Sequence, residues 1–215
     1  FLAPLALASY RHIGLNRLLQ LHIDGIPLSL AGSLLPLRTR LRPSLLIHIH
    51  LHARFQNQSA NDGDVKSRRS RRFKLSSFLG LIDHLESSVS RLNWRSSGTQ
   101  WVDYYEDDIY TAEALDHKVQ LVTEFLQQQQ PTSVWDLGSN TGLFSRIASD
   151  MGIQTIALDG DPATVERNYN TVVTQHEIAL LPIVVDLANP SPKIGWANNE
   201  RMDLPERGRA DMLFA

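Results

Sequence analysis

A glycine-containing segment in the second half of the chain combines residue types that can hold a small ligand. It runs from Asp136 to Gly142 (Asp-Leu-Gly-Ser-Asn-Thr-Gly), between a predicted strand and a predicted helix. Gly138 can adopt positive φ and lets a ligand approach the backbone closely, and Asn140 also tolerates the left-handed region. The free N–H groups and the positive dipole end of the following helix suit a ligand carboxylate. The segment therefore predicts a ligand-binding turn.

Acidic residues stand at the ends of the predicted strands. Asp159 closes the second strand, 23 residues after Asp136, and Asp186 closes the third. A carboxylate about 20 residues beyond such a turn can accept hydrogen bonds from both ribose hydroxyls, and Asp186 could accept one from an adenine amino group. Because parallel strands end at the same edge of a sheet, these acids are expected to line that edge. Asp161 is expected to cap a helix instead.

Two classes of ligand could bind at this turn. A nicotinamide or flavin dinucleotide site requires G-x-G-x-x-G/A, but counted from Gly138 the third position is Asn140 and the sixth is Leu143. Asp136 would also repel a pyrophosphate, since both groups are anions. S-adenosylmethionine (SAM) carries a sulfonium and an ammonium group and no phosphate, so a nearby acid is favourable. The residues therefore favour SAM.

The stretch from Val134 to Gly142 resembles the first motif of the class I SAM-dependent methyltransferases, D/E-x-G-x-G-x-G, with Asn140 in place of the middle glycine. Asp159 matches the ribose acid of that family, and Asp186 matches its adenine-side acid. Asp211 matches a position that is often structural. The resemblance implies a Rossmann-like α/β fold.

The resemblance covers about residues 101–215, where four strands of the family sheet are found. It implies SAM as the cofactor and transfer of a methyl group to an acceptor that the sequence does not identify. The residues implied to bind SAM are Asp136, Gly138, Ser139, Asn140, Gly142, Asp159 and Asp186. The family sheet has seven strands, and the part that is not found here would hold much of the substrate pocket, so no catalytic base is assigned. Methyl transfer mainly needs in-line positioning of the acceptor, and a base is needed only if the acceptor must lose a proton. No metal ligand is predicted.

The wider chain resembles larger bacterial methyltransferases, some of them labelled nodulation proteins, at Asp24–Leu28 and His48–His52. The sequence begins with Phe and ends in an apolar run that is typical of a strand. We therefore expect a fragment, cut at both ends and inactive alone.

Three other functions stay open at this point. An NAD-dependent oxidoreductase could use the same sheet edge, although Asn140 and Leu143 disfavour it. A non-catalytic protein could keep the SAM fold as a binding or scaffolding module. The basic first half of the chain could bind RNA, which a steep salt dependence of affinity would reveal.

Hydrophobic periodicity predicts the elements that position the acidic edge. Apolar runs alternate with amphipathic stretches, a pattern typical of a parallel sheet with helical crossovers. The predicted helices cover 111–129, 143–151 and 162–175, and the predicted strands cover 133–137, 154–159, 180–186 and 210–215. Another helix is predicted over 75–93, where the apolar stripe consists of Phe78, Ile82, Leu85, Val89 and Leu92.

The two halves of the chain differ in charge. Residues 1–100 carry 14 basic and 5 acidic side chains, whereas residues 101–215 carry 7 and 18. This reversal indicates two regions with different roles. The predicted organisation is a helical region over 1–55, a polar and basic linker over 56–74, a helical connector over 75–100, and the methyltransferase domain over 101–215.

The overall composition excludes several classes of protein. The net charge of −2 excludes a generally basic nucleic-acid coat, and the lack of cysteine excludes a disulfide framework and a cysteine nucleophile. The run Gly25–Leu37 has 13 uncharged residues and two prolines, whereas a membrane span needs about 20 residues. We therefore predict no membrane span. The lack of cysteine fits a reducing compartment, so a cytoplasmic location is expected. His48, His50 and His52 alternate without a nearby carboxylate, so they are not predicted to bind metal.

Overall fold

The structure is a computed structural model that describes residues 1–61, 74–95 and 111–215. The chain divides into two compact units, Phe1–Arg95 and Ser96–Ala215. Most of the predicted linker and the first ten residues of the predicted methyltransferase domain lie outside the described residues, so those boundaries stay predictions. Among the described residues, no helix is both long and apolar enough to cross a membrane.

The first unit is built from short helices, and proline starts several of them. Pro27 precedes α3, Pro36 precedes a 3-10 helix, and Pro43 is the first residue of α4, positions where its fixed φ suits a helix start. The elements are α1 (Leu2–Arg11), α2 (Leu15–Leu21), α3 (Leu28–Leu34), the 3-10 helix (Leu37–Leu41), α4 (Pro43–Leu45), a π-helical stretch (Leu46–Leu51), α5 (His52–Asn61) and α6 (Leu75–Ser90). Thus α5 continues into the segment expected to be a linker.

Helix α6 matches the helix predicted over 75–93, but only its C-terminal end buries the apolar stripe. Val89 and the following Leu92 pack against the core of the first unit. Phe78 and Ile82, at the start of the stripe, are 48% and 44% exposed. The fully buried side chains of this core include Leu7, Leu45 and Ile49.

The second unit is a four-stranded parallel sheet with flanking helices. The strand order is β3-β2-β1-β4, and every neighbouring pair is parallel. The elements are α7 (Ala112–Gln129), β1 (Ser133–Leu137), α8 (Leu143–Asp150), β2 (Gln154–Asp159), α9 (Pro162–Gln175), β3 (Leu180–Val184) and β4 (Met212–Phe214). This sheet confirms the predicted Rossmann-like α/β fold preceded by helices.

Local hydrogen bonds explain where the helices of this unit begin. The Thr111 hydroxyl accepts from the Ala114 amide at the start of α7, and the Asp161 carboxylate accepts from the Ala163 amide at the start of α9. Pro162 occupies the first position of α9. These are the interactions expected of N-caps, so the predicted capping role of Asp161 is confirmed. Behind β1, Leu126 of α7 and Ala148 of α8 form a buried apolar cluster.

Strand β3 is the edge of the sheet, which explains why it tolerates Pro182. The Val185 amide donates to the Asp159 carbonyl of β2, so the odd-numbered amides of this strand face β2. The missing N–H of Pro182 therefore lies on the free edge and removes no ladder hydrogen bond. The strand ends at Val184, two residues earlier than predicted, because Asp186 starts a turn. Strand β4 begins at Met212, two residues after the predicted start.

Candidate functional site

The predicted ligand-binding turn joins β1 to α8 and adopts a left-handed conformation at three positions. Gly138, Asn140 and Gly142 have φ values of 81°, 50° and 84°. The amides of Gly138 and Ser139 both donate to the carbonyl of Leu158 in β2, at 2.8 and 3.1 Å. Asparagine thus takes the left-handed position where the family motif has glycine, as its tolerance of that region predicts.

Gly138 and Gly142 satisfy different requirements. A Cβ atom on Gly142 would lie 2.5 Å from Asn168 Nδ2 and 2.8 Å from Arg146 Nη1, so packing leaves no room for a side chain there. A Cβ atom on Gly138 would meet no described atom within 4 Å. Gly138 therefore needs glycine for its φ value alone, and the space beside it is open to a ligand.

Asp159 ties the end of β2 to this turn. Its Oδ2 atom accepts a hydrogen bond from the Asn140 amide, and its Oδ1 atom accepts one from the Asp161 amide, both at 2.8 Å. A carboxylate offers about four acceptor positions, so roughly two stay available after these bonds. The half-buried Asp159 can therefore hold the turn and bind two ligand hydroxyls at once.

Asp136 lies behind the turn. Its side chain is 5% exposed, and its Oδ2 atom accepts a 2.6 Å hydrogen bond from the Ser145 hydroxyl of α8. Burial raises the pKa of the Asp136 carboxyl, the hydrogen bonds from Ser145 oppose that rise, and the charge of Asp159 adds to it. The turn is therefore flanked by two acidic groups that interact electrostatically.

Ser139 provides a polar group that has no partner within the described chain. The residue is 3% exposed, and its hydroxyl oxygen makes no hydrogen bond to any described residue. An unsatisfied buried hydroxyl is costly, and a polar ligand would relieve that cost. The neighbouring Asn140 is also buried, at 7% exposure. These residues fit a polar cofactor seated on the turn.

Asp186 lies beyond the end of β3 and is engaged in its own turn. Its Oδ1 atom accepts from the amides of Ala188 and Asn189, at 3.1 and 3.2 Å. No hydrogen bond joins it to the glycine turn. Its assignment to the adenine side of a ligand stays a prediction.

Asp211 directly precedes β4 and has a structural role at the start of β1. Its Oδ2 atom accepts from the Thr132 amide and hydroxyl, at 2.9 and 2.6 Å, and from the Ser133 amide at 3.1 Å. The hydrogen bonds from Thr132 and Ser133 lower the pKa of the Asp211 carboxyl. Asp211 thereby fixes the start of β1 against β4.

The residue that sequence reasoning missed is Arg146 of α8. Its Nε and Nη2 atoms pair with the two carboxylate oxygens of Glu177, at 2.8 and 3.1 Å. Its Nη1 atom donates to the Thr141 carbonyl at 2.7 Å, and its Nη2 atom also donates to Asn168 Oδ1 at 2.8 Å. One guanidinium therefore joins the turn, α9 and the segment before β3. One sequence signal pointed to Arg146. It is a basic residue one helical turn after Gly142, in a half of the chain that is mostly acidic.

The second unit has a class I methyltransferase-like α/β fold. This assignment rests on the parallel sheet and its strand order, the glycine turn after β1 and the acid at the end of β2. No family model matches the chain. The chain is 33% identical over 220 residues to the nodulation protein NoeA of Rhizobium meliloti (strain 1021), and the match covers 100% of this chain and 46% of NoeA. The chain thus spans about half the length of the curated relative that it matches.

Solved structures that align with part of this chain include the following two methyltransferases. A candidate RNA methyltransferase from Pyrococcus horikoshii has 17% identity and a TM-score of 0.36, and covers 61% of this chain and 57% of its own. Coclaurine N-methyltransferase, solved with N-methylheliamine and S-adenosylhomocysteine, has 16% identity and a TM-score of 0.36, and covers 90% of this chain and 53% of its own. These likenesses are distant.

Proposed function

We propose that this chain is the SAM-binding part of a SAM-dependent methyltransferase. The observation that carries the proposal is the position of Asp159, whose carboxylate is bonded to the Asn140 amide of the turn and keeps acceptor positions for two hydroxyls. The open space beside Gly138 lies in the same turn. A ribose diol is a ligand group that such a carboxylate binds.

The charges around the turn support SAM over a dinucleotide. Asp136 and Asp159 both flank the turn. Burial raises the pKa of Asp136 most, the charge of Asp159 adds to that rise, and the charge of Lys118 opposes it. A pyrophosphate would add further negative charge, whereas the sulfonium and ammonium groups of SAM would be attracted to this environment. The same argument disfavours an NAD-dependent oxidoreductase.

In this proposal, bound SAM supplies an electrophilic methyl group on its sulfonium. Asp159 holds the ribose, while the buried Ser139 hydroxyl donates to a polar group of the ligand. Arg146 keeps the turn in shape through the Thr141 carbonyl. An acceptor atom placed in line with the methyl group reacts without further activation unless it must first lose a proton. The acceptor and any base are not assigned to described residues.

Calorimetric titration of S-adenosylhomocysteine into the full-length protein tests the proposal. Asp159→Asn removes the charge and is expected to weaken binding by about tenfold or more, since a hydrogen bond to a charged group contributes about 1.5–3 kcal/mol. Asp150→Asn, an exposed acid at the end of α8, is the matched control and is expected to bind normally. NAD, titrated in parallel, is expected to give no signal.

Tight NAD binding would overturn the proposal. Methyl transfer from labelled SAM then separates an enzyme from a non-catalytic binding module.

A further inference from the structure

A cavity in the first unit is lined by three arginine side chains. Its volume is about 550 Å³, within the range of small-molecule sites. Its polar lining comes from α1, the segment around the 3-10 helix and the end of α6, and consists of Ser9, Tyr10, Arg38, Arg42, Arg91 and Asn93. Every residue that lines this cavity belongs to Phe1–Arg95, whereas the glycine turn belongs to Ser96–Ala215.

The ring of Tyr10 lies against two of these three arginine side chains. The Arg38 and Arg42 guanidinium carbons lie 5.6 and 5.9 Å from the centre of the Tyr10 ring, within cation–π range. The Ser9 hydroxyl donates to the Asn93 carbonyl at 2.7 Å and thereby links α1 to the segment that follows Arg91. Positioned guanidinium groups lose less freedom on binding a ligand than mobile ones do.

Nothing in the described lining neutralises this positive charge. Residues 1–95 contain 14 basic and 5 acidic side chains. The acids among the described residues of this unit are Asp24, Asp83 and Glu86, and none of them lines the cavity. Three like charges close together repel one another, so the arrangement is complementary to an anion. Guanidinium groups bind phosphate oxygens through paired hydrogen bonds.

We propose that this cavity binds a compact anion with two or more phosphate-type groups, a function beyond the SAM site. Three arginine side chains along one cavity match a ligand with several anionic oxygens better than a single monoanion. Tyr10 is the one aromatic side chain in the described lining, and two guanidinium groups already engage it. The cavity therefore lacks the row of aromatic rings on which single-stranded RNA stacks, which favours a small ligand over RNA.

The probe is inorganic pyrophosphate, titrated calorimetrically into the full-length protein at low salt. Arg38→Gln and Arg91→Gln are each expected to weaken binding by about tenfold, because each removes charge-assisted hydrogen bonds. Arg17→Gln, an exposed arginine of α2 outside the cavity, is the matched control and is expected to bind normally. Arg38→Lys keeps the charge without the paired geometry and is expected to show an intermediate loss.

Several results would overturn this proposal. These are no pyrophosphate binding, equal weakening by Arg17→Gln, or RNA binding without pyrophosphate binding. Citrate is titrated in parallel as a ligand with several carboxylates. Tighter binding of citrate than of pyrophosphate would contradict the phosphate assignment. Thermal unfolding of each variant without ligand checks that it folds. S-adenosylhomocysteine affinity is expected to be unchanged in these variants, so failure here and failure of the SAM site are distinguishable.

Discussion

At the scale of single residues, the glycine turn requires glycine at Gly138 and Gly142 for different reasons, and this difference is measurable. Gly142→Ala adds a Cβ atom 2.5 Å from Asn168 Nδ2 at a φ of 84°. We expect it to lower the free energy of unfolding by about 3 kcal/mol or more, from overpacking plus backbone strain. Gly138→Ala adds only the backbone strain, so it is expected to lower the free energy of unfolding by about 1–2 kcal/mol. Urea unfolding followed by far-UV circular dichroism measures both.

The control for these two variants is Gly80→Ala. Gly80 is within α6, at a position where a Cβ atom meets nothing within 4 Å. Alanine there is expected to be neutral or stabilising, since it favours the helix. Equal destabilisation by Gly138→Ala and Gly142→Ala would contradict the assigned roles.

Asp211 is predicted to contribute to acid stability. The hydrogen bonds from Thr132 lower the pKa of its carboxyl below the ordinary value of 3.8. The folded state therefore favours the ionised form, and this stabilisation is present above pH 3.8 and lost as the pH falls through the lower folded pKa. Asp211→Asn should flatten the pH dependence of unfolding in that window, measured by circular dichroism. An unchanged slope, matching that of the exposed control Asp150→Asn, would refute this role.

At the scale of elements, Arg146 of α8 joins the turn and α9 to Glu177 in the segment before β3. The two side chains are 19% and 11% exposed, so removing one partner leaves the other charge largely buried. We expect Arg146→Gln or Glu177→Gln to cost about 3 kcal/mol each. The double variant should cost less than the sum, with a coupling of about 1–3 kcal/mol. Denaturant unfolding of the four proteins measures that coupling, and strict additivity would show that the pair does not act as a unit.

The contact between the π-helical stretch and α6 is predicted to weaken in acid. His48 Nε2 lies 2.7 Å from His84 Nδ1, and one of these nitrogens must accept. Burial lowers the pKa of His48, and the charges of His84 and His52 lower it further. The folded state therefore binds fewer protons than the unfolded chain, so stability is complete above pH 6.5 and falls as the pH drops from 6.5 through the lower folded pKa.

His48→Gln is expected to flatten the fall in stability of the first unit between pH 7 and pH 5, which brackets the ordinary histidine pKa of about 6.5. Thermal unfolding measured by circular dichroism across that range tests it. His117→Gln, an exposed residue of α7, is the control. A variant that keeps the full acid sensitivity would show that the histidine pair is not its origin.

Local signals explain which elements could be predicted from the sequence. The bounds of β1, β2 and α9 were predicted because short apolar runs are bounded by turn residues and by the Asp161 and Pro162 start signal. The end of β3 was missed because the side chain of Asp186 bonds its own following amides and stops the strand. The Arg146 contacts were missed because Glu177 lies 31 residues away and only the fold brings them together.

At the scale of the whole molecule, the charge reversal follows the division into two units. Residues 1–95 carry a net charge of +9 and residues 96–215 carry −11. The glycine turn lies in the acidic unit, and the arginine-lined cavity lies in the basic one. The chain spans 46% of the length of its curated relative, and the acceptor site of the proposed enzyme is not assigned to the described residues.

The central claim is that Asp159 and the glycine turn hold the nucleoside of SAM. A crystal structure of the full-length protein with S-adenosylhomocysteine tests it most directly. The account predicts both ribose hydroxyls within about 2.5–3.0 Å of the Asp159 carboxylate, the hydrogen-bonding range for hydroxyl donors. It also predicts a ligand atom hydrogen-bonded to the Ser139 hydroxyl. Ligand bound elsewhere, or a ribose that does not contact Asp159, would contradict the account.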